Sequence, residues 1–372
     1  MAGAAFSEDD RHFMRVALSL SKRGLGIVWP NPSVGCVIIR GGEIVGRGWT
    51  QKGGRPHAER MALTMAGNRA SGATAYVTLE PCSHHGVTPP CASGLIEAGV
   101  VRVVSAQEDP DTRVSGRGHQ MLRDAGIRVD IGLMGDEARR INAGFLSRIT
   151  RNCPLVTLKL AATLDGRSAL ANGQSQWITG AQARNRGHML RASHDAILIG
   201  ADTVLADNPE LTCRIAGLGD RSPVRIIMDR TGKVAAGCKL VQTAAKTPTW
   251  LVTSDENADI CRNRFANSKV EVIAAACDAN HLDLKDILHR LADKGLTRIL
   301  IESGGRLAAG FIGAGLVDRI VHFSAPGFIG AEGLPMIGDL MLDDLANMPR
   351  YHRIRFEKTG EDFMITYEKE TE

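Results

Sequence analysis

The sequence predicts two α/β domains in tandem, on three observations. At 372 residues the chain is long enough for two or three domains, each burying its own core. Short strand-like runs alternate with amphipathic helical runs through both halves. The pattern breaks at Arg151-Asn152-Cys153-Pro154, which sets the expected domains at 1–151 and 152–372.

The first domain opens with Ser7 as an N-cap, followed by Glu8, Asp9 and Asp10. Phe13, Val16, Ala17 and Leu20 then share one helical face, and Lys22-Arg23-Gly24 ends the helix. Asn31-Pro32-Ser33 leads into a hairpin, strands 34–40 and 43–49 around Gly41-Gly42. A helix follows His57 and stops at Gly67. Strands are expected at 73–79, 100–106 and 127–132, and helices at 92–98, 118–125 and 135–150.

Chemistry concentrates between Pro56 and Cys91. His57 and two cysteines, Cys82 and Cys91, are the donors that suit a tetrahedral zinc, and three protein ligands leave the fourth position open, the catalytic pattern. A proline precedes each ligand, and each falls at a helix start or strand end. Helix N-termini favour thiolate over thiol. Glu59 lies two residues past His57, about 200° around a helix, so it faces reactants rather than the metal. His84 and His85 lie in the same loop, but the three-ligand set already leaves the open position that catalysis needs.

In the second half, strands are expected at 155–161, 196–200, 224–228, 249–253, 270–274, 298–301 and 319–323, with a closing strand near 364–367. Helices are expected at 181–191, 258–267, 284–294 and 306–314. Such alternation implies a mostly parallel sheet, whose ligands bind at the carboxyl ends of its strands. Glu302-Ser303-Gly304-Gly305 follows a strand and opens a helix; its amides suit a phosphate, and a plain turn fits the spacing equally well. No Gly-x-Gly-x-x-Gly or Walker string occurs, so neither a Rossmann dinucleotide domain nor a P-loop is expected.

Composition bounds the partners. Hydrophobic residues make up 44% and charged residues 23%, with a net charge of +4 and 4% aromatics. The basic stripes and stacking platforms of nucleic-acid binders are not expected. Residues 1–10 show no secretion signal, no apolar run could span a bilayer, and eight scattered cysteines suit a reducing compartment. The expectation is a cytoplasmic homo-oligomer acting on a small molecule, with no nucleic-acid or membrane partner.

His57-Ala58-Glu59 with Pro81-Cys82 and Cys91 resembles the zinc nucleobase deaminases. Eight residues separate the two cysteines, as in the bifunctional deaminase/reductases of riboflavin biosynthesis. Lys159-Leu160-Ala161-Ala162-Thr163-Leu164-Asp165-Gly166-Arg167, Ser175-Gln176-Trp177-Ile178-Thr179, Thr203-Val204-Leu205-Ala206-Asp207-Asn208-Pro209 and Glu302-Ser303-Gly304-Gly305 resemble the reductase half of that family. The resemblance implies an N-terminal cytidine-deaminase-like α/β/α sandwich and a C-terminal dihydrofolate-reductase-like α/β domain, with Zn2+ and NADPH as cofactors.

The implied reactions are hydrolytic deamination of 2,5-diamino-6-(5-phosphoribosylamino)pyrimidin-4(3H)-one, then reduction of its ribosyl chain to ribityl. The implied sites are His57, Cys82 and Cys91 on zinc and Glu59 as proton shuttle. Ser175, Arg191, Leu211, Arg214 and Glu302 would contact substrate, the two arginines holding the ribose phosphate. Ala161, Trp177, Thr203, Asp207, Gly304 and Gly305 would contact NADPH, with Arg230 near its 2′-phosphate. Lys159 or Glu302 would supply the reductive proton, and Asn31 would border the pyrimidine. Two positions depart from the family, which commonly has His at Thr50 and a basic residue at Val87. The alternatives are a nucleic-acid or nucleoside zinc deaminase with an appended domain, and a zinc-stabilised binding module without turnover.

Overall fold

A computed structural model describes residues 6–84, 89–111, 115–278 and 281–370. The chain divides into two units, Met1–Asn152 and Cys153–Glu372, each with its own main sheet.

In the first unit, helix α1 (Glu8–Ser21) begins in a reciprocal capping box: the Asp10 N–H donates to Ser7 Oγ at 3.1 Å and the Ser7 N–H to Asp10 Oδ2 at 3.0 Å. Strands β1 (Gly35–Arg40) and β2 (Glu43–Trp49) form the expected hairpin. They are followed by α2 (Ala58–Ala66), β3 (Thr74–Val77), α3 (Cys91–Glu97), β4 (Arg102–Ser105), α4 (Arg117–Asp124) and β5 (Arg128–Ile131). The sheet order is β2-β1-β3-β4-β5, with β1 antiparallel to both neighbours and the remaining pairs parallel.

Alternation along β1 decides which helix covers which face. Cys36 and Ile38 share a core with Ala58, Ala62 and Leu95 of α2 and α3, while Val37 and Ile39 share one with Met14 and Leu18 of α1. Helix α2 approaches β2 at backbone distance. A Cβ on Gly48 would stand 2.3 Å from the Ala58 carbonyl oxygen, and one on Gly46 would stand 2.2 Å from that of Ala62.

The helix expected over 135–150 is two helices, α5 (Gly135–Ile141) and α6 (Ala143–Arg151). Asn142 leaves helical geometry between them (φ −93°, ψ 13°), and its side-chain oxygen accepts the Ser33 N–H at 2.9 Å. A tertiary hydrogen bond far along the chain accompanies the break, and nothing in the local periodicity signals it.

In the second unit, β6 (Leu155–Thr163), β7 (Arg167–Ala169), α7 (Ala181–Ala192), β8 (Ala196–Gly200), α8 (Ala201–Asp207), β9 (Val224–Met228), α9 (Lys239–Gln242), β10 (Thr249–Ser254), α10 (Asp255–Arg264) and β11 (Val270–Ala275) come first. The short pair β12 (Cys277–Asp278) and β13 (His281–Leu282) leads to α11 (Leu284–Asp293), β14 (Arg298–Ile301), α12 (Gly305–Gly313), β15 (Arg319–Ala325), β16 (Leu334–Pro335), β17 (Tyr351–Thr359) and β18 (Asp362–Lys369). The main sheet runs β11-β10-β9-β8-β14-β6-β15-β18-β17, parallel from β11 to β15, with β18 antiparallel to both its neighbours.

All seven expected parallel strands are present. Local patterning does not predict α8, α9, β17 or the short strands β7, β12, β13 and β16. Only Ala201 and Val204 of α8 are buried, too few for a helical stripe. β17 is mostly exposed and rich in Arg and Lys, the marks of an edge strand.

Gly48→Ala tests the seating of α2. The added methyl meets backbone rather than a flexible side chain, so we expect destabilisation of about 1–3 kcal/mol, read as a lowered midpoint in denaturant. An unchanged midpoint would mean α2 can withdraw without cost.

Candidate functional site

In the first unit, three segment ends converge. His57 is the N-cap of α2, Cys91 is the first residue of α3, and Cys82 lies in the segment after β3. His57 Nδ1 is 3.6 Å from Cys82 Sγ and 3.4 Å from Cys91 Sγ, and the three ligand atoms lie within 4.8 Å of one another. Ligands at usual zinc–nitrogen and zinc–sulfur distances in a tetrahedron stand roughly 3.5–3.8 Å apart. The donor set and its spacing therefore fit zinc.

Among the described residues this triad is the one such cluster of His, Cys, Asp or Glu, and His84, which is exposed, is not part of it. His85 and Val87 lie outside the described residues. The Cys91 N–H donates to Cys82 Sγ at 3.3 Å. The hydrogen bond from Cys91, opposed by burial and aided by His57, draws the Cys82 thiol down to about 4.

Glu59 is buried in the first turn of α2. Burial pushes its carboxyl up to about 7; the His57 charge opposes this and the Cys82 charge adds to it. A carboxyl poised near neutrality can both take and return a proton. Thr50 is buried and its Oγ1 accepts the Val34 N–H at 2.9 Å. Asn31 packs against Gly54, where a Cβ would stand 1.7 Å from its Nδ2.

One residue of the motif had no assigned role. The buried Glu80 carboxylate accepts four backbone N–H groups, those of Asp109 (3.2 Å), Gly116 (2.9 Å), Gly118 (2.8 Å) and His119 (3.2 Å). It pins residues 80–82 against the start of α4. Gly118 permits the approach, since a Cβ there would stand 1.9 Å from the Pro81 carbonyl oxygen. Glu80 thereby positions Cys82, a role that an acidic residue beside Pro-Cys does not announce.

In the second unit, Glu302 leaves the carboxyl end of β14. Arg191 Nε and Nη2 donate to its two oxygens at 2.8 and 2.9 Å, Arg191 Nη1 donates to the Thr212 carbonyl at 3.1 Å, and Lys159 Nζ of β6 lies 3.8 Å from Oε2. Burial would raise the Glu302 carboxyl, but Arg191 and then Lys159 overcome it and bring it to about 2. The Arg214 N–H donates to His188 Nδ1 at 3.4 Å, while Leu211 is buried with φ +55°.

Ala161 pairs with Phe323 across β6 and β15. Ser175 and Trp177 lie between β7 and α7, with the Arg184 guanidinium 4.4 Å over the indole ring of Trp177. Thr203 and Asp207 sit on α8, directly after β8. Gly304 caps α12, and Gly305 fits against residues 335–338, where a Cβ would stand 2.8 Å from the Pro335 carbonyl oxygen. The Arg230 side chain is exposed. Lys159, Arg191 and Glu302 are thus in contact, whereas Ser175, Trp177, Thr203, Asp207 and Gly304 sit on other segments of the same unit.

Residues 7–107 match the family model of the cytidine and deoxycytidylate deaminase zinc-binding region, and residues 154–365 match that of the RibD C-terminal domain. Riboflavin biosynthesis protein RibD of Haemophilus influenzae is 42% identical over 97% of this chain and 98% of its own. The Escherichia coli protein of the same name is 42% identical over 96% and 98%. Acinetobacter baumannii RibD (form 1) superposes with a TM-score of 0.88 at 36% identity, covering 98% of this chain and 99% of its own. A Thermotoga maritima diaminohydroxyphosphoribosylaminopyrimidine deaminase/5-amino-6-(5-phosphoribosylamino)uracil reductase does so at 0.84 and 33% identity, covering 97% and 99%. The first unit is accordingly cytidine-deaminase-like and the second has the dihydrofolate-reductase-like fold of RibD reductase domains.

Two outcomes are expected. Glu80→Ala strands four N–H groups, three of them buried, and loosens Cys82, so zinc affinity, measured by chelator competition, falls about ten- to a hundredfold; unaltered affinity would refute the positioning role. For Glu302, the folded carboxyl lies below its ordinary 4.5, at about 2, so its contribution is present above pH 4.5 and is lost as pH falls towards 2. The stability advantage of the unsubstituted chain over Glu302→Gln, on the order of 3 kcal/mol at pH 7, should shrink across that window in denaturant titrations.

Proposed function

The chain belongs to the RibD family of riboflavin biosynthesis proteins, and from that premise we propose how its residues divide two reactions between two sites. It is a bifunctional enzyme, a zinc-dependent deaminase and an NADPH-dependent reductase. The observation that carries the residue assignment is the His57-Cys82-Cys91 triad at tetrahedral spacing beside a buried carboxyl.

In the deaminase half, His57 through Nδ1 and the sulfurs of Cys82 and Cys91 hold zinc, which when bound supplies Lewis acidity and acidifies water to near neutral pKa. Glu59 accepts the proton released as the amine-bearing carbon of the pyrimidine is attacked, and returns it to the departing ammonia. Asn31 borders the pyrimidine.

In the reductase half, bound NADPH supplies hydride for C1′ of the opened ribose. Ala161, Trp177, Thr203, Asp207, Gly304 and Gly305 form the cofactor wall, with Arg230 at the 2′-phosphate. Ser175, Leu211, Arg214, Arg191 and Glu302 border the substrate. The reductive proton comes from Lys159: Arg191 and Lys159 hold Glu302 ionised well below neutral pH, so Glu302 has no proton to give and instead orients the ammonium.

No helix among the described residues is long and apolar enough to cross a membrane. No disulfide joins the described cysteines, which supports a cytoplasmic location. Exposed Ile354 and Phe356 on the edge strand β17 support a homo-oligomer. The presence of a RibD C-terminal match in the same chain favours this reading over a nucleic-acid deaminase with an unrelated appended domain.

Glu59→Ala separates the two halves. It should retain zinc and NADPH oxidation with pre-deaminated substrate, while ammonia release falls by at least about a hundredfold. Ammonia release at the original rate would remove Glu59 from the proton path.

A further inference from the structure

Between β15 and β17 the chain passes the carboxyl end of β6 as a segment without a core of its own. Of residues 326–338 only Gly333 is buried, and apart from the two-residue β16 none belongs to a helix or strand. So little apolar burial cannot fix the segment. Polar contacts must decide where it lies.

Those contacts converge on one carboxylate. Asp165, in the turn between β6 and β7, accepts the Gly330 N–H at Oδ2 (2.7 Å) and the Ile329 N–H at 3.2 Å from Oδ2 and 3.3 Å from Oδ1. The Thr163 hydroxyl donates to Oδ1 at 2.6 Å. Thr163 and then the Gly330 N–H hold the Asp165 carboxyl below its ordinary value, so at neutral pH it is an ionised acceptor. Hydrogen bonds to an ionised group are roughly twice as strong as neutral ones. Gly330 sits at φ +97°, where a side chain would be strained and where successive N–H groups can turn towards one anion.

The same segment continues to the start of α12. The Leu164 N–H donates to the Gly327 carbonyl at 2.9 Å and the Met336 N–H to the Gly166 carbonyl at 3.0 Å, so the turn around Asp165 grips the segment in three places. Two residues past Met336, the Gly338 N–H donates to the Gly305 carbonyl at 2.8 Å. The two backbones are close: a Cβ on Gly305 would stand 2.9 Å from the Gly338 nitrogen. The Gly338 bond fixes the plane of the peptide joining Gly305 to Arg306, and with it the direction of N–H groups at a helix start that no side chain caps.

We propose that Asp165 is a positioning residue for NADPH: it clamps residues 327–338 against Gly305 and so holds the amides of the α12 start in the orientation that meets the cofactor. This deepens the reductase reading and rests on the assignment of Gly304 and Gly305 to NADPH. Asp165 acts through the segment, so its loss is felt as weaker cofactor binding and not as a slower deaminase.

The test uses the full-length, zinc-loaded enzyme with Asp165→Asn, which keeps the side-chain shape and one acceptor oxygen, and Asp165→Ala, which removes both. NADPH is titrated by its fluorescence, KM is measured separately for NADPH and for 5-amino-6-(5-phosphoribosylamino)uracil, and thermal melting checks folding. Asp165→Ala should raise Kd and KM for NADPH about tenfold and Asp165→Asn by less, while KM for the pyrimidine and the rate of ammonia release stay within about twofold. Amide hydrogen exchange at Ile329 and Gly330 should quicken in both variants. Equal rises in KM for both reactants would mark a merely structural role and overturn the proposal, as would an unaltered NADPH Kd or unaltered exchange. Gly304→Val separates this role from the reading beneath it. A Cβ at Gly304 meets nothing within 4 Å and its φ of −65° suits any residue, so the variant fits the chain yet crowds a cofactor at the helix start. Undiminished NADPH binding by Gly304→Val would remove the cofactor from the α12 start and the proposal with it. Weakened binding there with none in Asp165→Ala would remove the positioning role alone.

Discussion

Two sulfurs and an imidazole nitrogen lie close together, 3.4 and 3.6 Å from nitrogen to each sulfur, as a shared tetrahedral cation would need them. The first unit is arranged around keeping them there. No one element carries all three, so their spacing depends on how α2, α3 and the segment after β3 are fixed on the sheet. Gly46 and Gly48 set the height of α2 above β2, and the Glu80 carboxylate ties the Cys82 segment to the start of α4. The same enclosure that orders the ligands keeps Glu59 dry enough to hold its proton near neutrality.

Much of this was legible in the residues. The ligand set, the helix starts that bear it and the seven parallel strands of the second unit follow from donor chemistry, capping and alternation. What local sequence conceals are contacts between distant segments. Asn142 interrupts a helix where its side chain accepts the Ser33 N–H, and Glu80 reads as one more acidic residue until four amides are found pointing at it. The Arg191–Glu302 pair joins positions 111 residues apart, and no pattern on either strand or helix foretells it.

The second unit shows how a resemblance and a geometry refine each other. Similarity to known reductases put both Arg191 and Arg214 at a phosphate. The structure engages the Arg191 guanidinium with Glu302 and Thr212, while Arg214 meets His188 through its backbone N–H. The division follows from how many donors a guanidinium has and how many are already engaged. The edge strand β17 escapes local patterning because its exposed, charged residues resemble a loop.

The trio of Lys159, Arg191 and Glu302 sets two positive groups against one negative, so this spot keeps a surplus of one positive charge inside a chain whose formal total is only +4. A multiply anionic metabolite diffusing nearby is therefore drawn by a local field and not by the molecule as a whole. That pull fades beyond the Debye length, about 8 Å at physiological ionic strength. Brine-loving and freshwater hosts running the same chemistry would consequently differ in how fast the second half captures its reactants, even with identical side chains at the reacting atoms.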